Sequence, residues 1–419
     1  LIQVLGSSWA LLIGVFMLMI GNGLQGTLLG LRGELEGFST LSMSIVMSAY
    51  FVGFLFASRA VPELIRRVGH VRVFAALGST ISAILILYPA LTEPWAWTLG
   101  RLCIGFCFCG VYVTAESWLN DSTDNANRGK ALSLYMITQM AGIVLAQYIV
   151  VLGDVSGFVL FIIPSVLVSM SFAPILLSIR PTPAFETTKP LSIKRLIEVS
   201  PLACMGMFLL GGIFAAQFGM SAVFGIRAGL TVPQISFMVS AIYTAALLAQ
   251  FPIGWLSDRM DRRRLILGLA VLGGIGALIP TFVTTFPAFV LGAALIGAAS
   301  NPLYALLLAY ANDYLDREDM AAASGGFLFI NGVGAISGPL IVGFSMDTVG
   351  PQGYWGYMAI LMISMALYAL YRMTQRSTDT PVQDTVAYAP ILASATPVAL
   401  EVAQEVYIEA EENAQEGDE

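Results

Sequence analysis

Long apolar runs separated by short polar stretches recur twelve times along this chain. Their approximate limits are 8–30, 41–61, 71–91, 95–118, 129–152, 157–179, 201–226, 234–256, 264–285, 287–311, 321–346 and 352–373. Each is near the ~20 residues that a helix needs to cross a hydrocarbon core. They are far longer than the roughly 10-residue alternating strands of a membrane barrel. The pattern therefore predicts an all-α integral membrane protein with twelve transmembrane helices. The longest break, Arg180 to Ser200, reads RPTPAFETTKPLSIKRLIEVS and falls midway. It is proline-rich at first, then basic, with a helical stretch from Leu191. It divides the chain into an N-terminal six-helix bundle (1–180), a linker (181–200), a C-terminal six-helix bundle (201–376) and a tail (377–419).

Composition agrees with a bilayer. Only 11% of residues are charged, against about 25% in soluble domains. The net charge of −7 belongs to the tail, which from Ser377 onward holds ten acidic residues and no Lys or Arg; the remainder carries 20 basic against 17 acidic side chains. That acidity says nothing about a solute. With few bulky apolar residues, the tail is expected to be disordered, with room for a short amphipathic helix near Val398 to Glu412. Seventeen of the 20 basic residues fall at one end of the spans, the exceptions being Arg32, Arg101 and Arg227. An excess of Lys and Arg marks the cytoplasmic side, so both termini are expected there. The chain begins at Leu1, and residues preceding it are expected. Ser8 onward reads as a full span rather than a signal peptide.

The pattern also repeats. Gln250 to Arg264 reads QFPIGWLSDRMDRRR and joins two apolar runs by a short basic loop with Gly254 and Asp258. Pro62 to Val73, PELIRRVGHVRV, occupies the same place about 190 residues earlier. AESWLN (Ala115 to Asn120) and ANDYLD (Ala311 to Asp316) end spans 4 and 10 at an offset of 196. Repeated loop types at one long period imply two similar halves.

Twelve spans in two halves, a central linker and GWLSDRMDRRR after span 8 resemble the major facilitator superfamily, over residues 8 to 376. The superfamily's loop signature is Gly-x-x-x-Asp-Arg-x-Gly-Arg-Arg. Gly254, Asp258, Arg259, Arg262 and Arg263 match it, with Asp261 in place of its second glycine. In the first half Pro62 and Arg66 replace the first glycine and the aspartate, while Arg67 and Gly69 match. GRLCIGFCFCGVYVTAESWLND, Gly100 to Asp121, and the PELIRRVGHVR loop resemble a bacterial YcaD-like permease subgroup. The drug exporters' glycine-proline pair in span 5 is absent from MITQMAGIVLAQYIV, which weakens an export assignment. The resemblance implies two pseudo-symmetric bundles that rock about a midplane site. It also implies a cytoplasmic gate of Arg67, Glu116, Arg128, Asp258, Arg259 and Arg263. In that gate Glu116 joins Arg128 and the basic loop, and Asp258 pairs with basic groups when the carrier opens outward.

Polar side chains inside the spans are costly and therefore informative. Arg101 lies six residues into span 4, about 9 Å from the outer surface, and shares a face with Gly105, Tyr112 and Glu116 by helical spacing. Glu116, about 22 Å further along, is too distant to pair with it. Arg101 is therefore expected to face the cavity near Gln25 or Gln147, where a solute, a carbonyl or a helix end compensates it. The resemblance puts spans 1, 4, 5, 7, 8, 10 and 11 around that cavity. Asn22, Gln25, Arg101, Tyr112, Gln139, Gln217, Asn301 and Tyr304 are then the candidate wall, each also capable of an interhelical hydrogen bond. Span 11 is rich in glycine around Pro339, which suits tight packing or a helix that bends in a cycle.

These groups suit a small polar or mildly anionic organic solute. The expected function is a secondary active or facilitative transporter working by alternating access. An exporter of amphipathic compounds is the alternative, and a membrane receptor or scaffold without transport comes third. No acid lies at the membrane centre, so proton coupling is left open. No P-loop is present, no charged ring marks a channel, and no enzyme activity, cofactor or nucleic-acid partner is expected. Cys103 and Cys107 share a face, but with His70 alone in a loop they read as packing residues, and no metal is expected. The bilayer and a small solute are the expected partners of a monomer.

Overall fold

The computed structural model describes residues 2–121, 123, 127–176, 192–315, 317–375, 388, 390–391, 396 and 398–400. The first half contains α1 (Ile2–Leu35), α2 (Thr40–Val68), α3 (His70–Leu87), α4 (Pro94–Asp121), α5 (Arg128–Leu152) and α6 (Val159–Leu176). A short helix α7 (Ile193–Val199) precedes the second half. There α8 (Pro201–Ala215) runs through one π turn, Ala216–Met220, into α9 (Ser221–Arg227), and the three make one span. Then come α10 (Val232–Ser257), α11 (Arg262–Phe282), α12 (Phe286–Asn312), α13 (Arg317–Val349) and α14 (Gly353–Gln375). Eleven of these spans are long and apolar enough to cross a bilayer, and α6 is an apolar helix whose expected last residues, 177–179, lie outside the described residues, as does most of the linker. No strand occurs among the described residues.

Local chemistry sets the helix ends. Prolines stand in the first turn of α8, α10 and α12, where a missing N–H costs nothing. Thr231 and Gln234 form a reciprocal cap on α10. The sequence pattern ends the second span near residue 61, but α2 continues to Val68. Glu63 accepts from both Arg66 and Arg67 one turn on, at 2.8 and 2.7 Å, which supports the exposed turn past Pro62. Gly69, at φ 86°, then reverses the chain into α3.

The two halves repeat in three dimensions. A Cβ on Gly105 would overlap the carbonyl oxygen of Tyr50, and one on Gly297 would overlap that of Ile242. Gly142 lies against the carbonyl of Phe16, and Gly334 against that of Phe208. All four residue pairs share an offset of 192 positions (105 to 297, 50 to 242, 142 to 334, 16 to 208). The loop pairs Pro62/Gly254 and Arg66/Asp258 have the same offset. The match of AESWLN to ANDYLD at 196 is therefore one helical turn out of register. Asn120 corresponds to Asn312 and Asp121 to Asp313. Helix ends carry small, aromatic and apolar residues at each turn, so a text match there can slip by a turn.

At the end opposite the basic loops the halves are in direct contact. Arg227 donates to Thr40 Oγ1 at 2.7 Å and pairs with Asp347. Ser48 donates to the carbonyl of Ile336, and Gly343 lies against Ser44. Gly26 packs on Phe218 and Gly30 on Ala222, so α1 rests directly on the π turn and α9.

Most of the tail lies outside the described residues, but those described are packed against the bundle. Ile391, Thr396, Ala399 and Leu400 are 2%, 0%, 2% and 0% exposed. For these positions the expectation of a solvated tail gives way to burial, because apolar side chains in an otherwise polar tail have an apolar cleft to enter.

Candidate functional site

Between the halves lies a cavity. Its wall is largely aromatic. Tyr50, Phe51 and Phe54 come from α2, Tyr112 from α4, Phe214 and Phe218 from α8 and the π turn, and Tyr243 from α10. Three amides, Asn22, Asn301 and Asn331, break the apolar surface. Among the described residues, no Asp, Glu, Lys, Arg or His lines it. Such a space suits a solute with an apolar body and a few hydrogen-bonding edges.

The amides are held differently. Asn22 Nδ2 donates to Tyr112 Oη at 2.8 Å and its Oδ1 accepts from Gln25 Nε2 at 2.9 Å. Asn331 Nδ2 donates to the carbonyl of Met207 at 3.0 Å, which turns its amide oxygen into a fixed acceptor. Asn301 Nδ2 is buried and has no partner. A buried donor left unpaired is unfavourable, and a solute acceptor would satisfy it.

Of the eight expected wall residues, Asn22, Tyr112 and Asn301 line the cavity. Gln25 stands behind Asn22. Gln217 bonds Ser300 at 3.2 Å and faces a small side space with Thr27 and Gln147. Gln139 contacts Tyr135, and the Tyr304 hydroxyl is buried without a partner, both off the wall. Arg101 is not on the wall either. It is 0% exposed, its Nη2 reaches Met47 Sδ at 3.4 Å, and its guanidinium lies 4.8 Å from the Tyr50 ring and 5.7 Å from that of Phe218. Nε and Nη1 have no partner, and neither Gln25 nor Gln147 bonds it; Gln147 instead holds Thr27 and the Gly23 carbonyl. Helical spacing put Arg101 on the Tyr112 face, but Tyr50 and Phe218 from other helices lie over it.

The expected gate residues lie at the basic end. Arg67 bonds Glu63, Arg259 stacks on Trp255, and Arg263 pairs with Asp261. Arg262 is buried and holds Asp313, the Ala309 carbonyl and Ser257, tying α11 to α12. Glu116 accepts from Tyr135 at 3.1 Å and shares a small space with Arg128 without forming a salt bridge to it. Asp258 accepts the backbone N–H of Tyr388 at 3.0 Å and forms no salt bridge among the described residues. Burial holds the Asp258 carboxyl above the usual carboxylate range, against the opposing effects of Tyr388, Arg262 and Arg259.

Apart from Tyr112, the sequence pattern does not pick out the aromatic wall or Asn331. Phe and Tyr face lipid as often as they face cavities, so composition carried no signal; Asn331, a lone amide in a glycine-rich span, did.

Comparison with known proteins agrees with this architecture. The model of the Major Facilitator Superfamily matches residues 11–230 and again 202–400, and the chain belongs to that family. It is similar to the "Uncharacterized MFS-type transporter YcaD" of Salmonella arizonae, 25% identical over 379 residues, covering 88% of this chain and 96% of that one. Among solved structures it is similar to the nucleoside transporter NupG (TM-score 0.72, 16% identity, 88% of this chain and 100% of that one). It also resembles a bacterial homologue of the human lysosomal transporter Spinster, solved inward-facing and unoccupied (TM-score 0.67, 13% identity, 97% and 98% coverage). At such identities the solved structures speak to the fold. The chain is a multi-pass membrane transporter of this superfamily.

Proposed function

We propose that this transporter carries a small, uncharged, polar solute built on an aromatic ring, by alternating access of one midplane cavity. The single observation that carries the reading is the wall. Aromatic rings offer stacking surfaces, amides at Asn22, Asn301 and Asn331 offer donors and acceptors, and among the described residues no Asp, Glu, Lys, Arg or His faces the space. With Arg101 behind Tyr50, an anionic solute loses the support that the sequence pattern lent it. A nucleoside has the ring and hydrogen-bonding edges this wall complements, and one structural neighbour is named a nucleoside transporter. The contacts between the halves opposite the basic loops fit a carrier closed at that end.

The test is a thermal-shift panel on purified protein with uridine, adenosine, L-fucose, benzoate and ethidium. Uridine or adenosine is expected to raise the midpoint. Asn301→Ala should then weaken that binding about tenfold, the equivalent of roughly 1.4 kcal/mol, with the empty protein as stable as before. Stabilisation by benzoate alone, or by fucose alone, would overturn the reading. The apolar share of the wall, with Met19, Leu55 and Met140 beside the phenyl rings, favours export of amphipathic compounds as the second reading. Stabilisation by ethidium together with outward flux in cells would select it.

The orientation proposed is basic end to the cytoplasm, with both termini inside a bacterial inner membrane. In intact cells a membrane-impermeant maleimide should label Thr92→Cys, and should label Arg264→Cys only after permeabilisation. The reverse pattern would invert the topology.

A further inference from the structure

We infer that the C-terminal residues Tyr388, Ile391, Thr396, Ala399 and Leu400 belong to a built-in plug that closes the solute path at the basic end. Two carboxylates flank that path, one on each half: Glu116 near the end of α4 and Asp258 just after α10. Both are occupied by the tail. Glu116 Oε2 accepts the backbone N–H of Thr396 and of Ala399, each at 3.3 Å, and also the Thr396 hydroxyl. Asp258 Oδ1 accepts the backbone N–H of Tyr388, whose ring lies against Gly254. The same two acids and the same glycine are the positions where the family's basic loops are expected to clamp. The plug takes them with neutral donors, while Arg67 bonds Glu63 and Arg259 stacks on Trp255, each within its own half.

The position of the contact makes it an obstruction. Tyr112 lines the cavity, and Glu116 is one helical turn further toward the basic end, about 6 Å. Thr396 and Leu400 sit there fully buried, and Ala399 forms part of the wall of the small space shared by Glu116 and Arg128. A solute leaving the cavity toward the basic loops meets this segment. Because it bonds an acid on each half, the segment also links the two bodies whose relative movement carries the cycle, so its release must precede rocking.

Charge favours docking at this end. After Leu400 the chain holds eight acidic residues and no Lys or Arg, while Arg66, Arg67, Arg128, Lys130 and Arg259 to Arg264 crowd the loops around the docking site. Attraction of that kind is screened by salt. The inference goes beyond the proposed solute and does not depend on it.

The test reads access to the cavity. Leu328, on the α13 part of the wall and 4% exposed, is replaced by cysteine, and labelling by a bulky soluble maleimide is followed in detergent. Three proteins are compared, each confirmed monodisperse. They are Leu328→Cys in the full chain, the same with Thr396→Asp, which sets a second carboxylate against Glu116, and the same ending at Gln375. The chain with its native cysteines alone supplies the background. Labelling is expected to be slow in the full chain, to rise about tenfold in both altered proteins, and to rise in the full chain alone as salt is increased. Equal rates in all three proteins would overturn the plug. Acceleration on truncation but not with Thr396→Asp would overturn the Glu116 contact as its anchor.

Discussion

Gly105→Leu is expected to abolish recovery of folded protein, and Gly297→Leu to do the same from the other half. At both positions the new side chain would start inside a backbone carbonyl of the neighbouring helix, that of Tyr50 or of Ile242. A clash with a side-chain tip is relieved by a rotamer change. One with a carbonyl requires two helices to separate along their whole contact. Helices in lipid have no hydrophobic driving force between them and associate through close packing, which is why small residues sit where backbones touch. Overpacking a core of adaptable side chains costs about 1–3 kcal/mol, and a backbone obstruction costs more. The measurement is the yield of monodisperse protein by size exclusion. Gly268→Leu and Gly356→Leu are the matched controls, since a Cβ at either meets nothing within 4 Å. Recovery of Gly105→Leu at the level of these controls would refute the close packing of α2 on α4.

Arg101→Met should make the empty protein more heat-stable and yet stop transport. The guanidinium is fully buried with two nitrogens unpaired, and its compensation is two aromatic faces and a thioether. Cation–π contacts of this kind are worth about 2 kcal/mol when desolvated, less than the usual penalty for a buried ion. Replacing a buried charge by an apolar chain of similar length stabilises by about 1–4 kcal/mol in favourable cases. Arg101 and Tyr50 belong to the first half and Phe218 to the second, so the stack exists only while the halves meet at that end. When they part, water reaches the guanidinium and the charge favours the opened state. Methionine removes that advantage. A bias of about 2 kcal/mol leaves the opened state roughly 30-fold rarer, and flux falls with it. Arg101→Lys keeps the charge but loses the flat stacking face, so its midpoint should drop. A fall in midpoint for Arg101→Met would mean that the guanidinium is well compensated where it lies.

Parts of the site could be read from the chain and parts could not, and Arg101 marks the boundary. Its presence in a span, the absence of an acid within reach on its own helix, and its shared face with Tyr112 all follow from spacing along one helix. Whether that face meets a cavity depends on what neighbouring helices lay over it. Tyr50 is 51 positions earlier and Phe218 lies 117 positions later, on a π turn that apolar periodicity does not foresee. Asn22 and Asn301 reached the wall because amides inside spans are few, so choosing by polarity found them. The same choice also took Gln139 and Tyr304, which the wall does not use.

By itself the sequence determined the span count, the basic end, the two-half repeat and the loop signature at Gly254 to Arg263. Each is a one-dimensional property: the length of an apolar run, the side on which charges collect, the distance between similar stretches. A bilayer makes such properties decisive, because every backbone group must be satisfied within its own helix. The tertiary structure alone decided the rotation of each helix about its axis, the register of 192 between the halves, the aromatic wall and the docking of Tyr388, Thr396 and Leu400. These depend on contacts between residues far apart in sequence. Tyr388 reaches Asp258 across 130 positions and Thr396 reaches Glu116 across 280. Nothing local in an acidic, polar tail distinguishes a threonine in water from one buried against a carboxylate; only the cleft that receives it does.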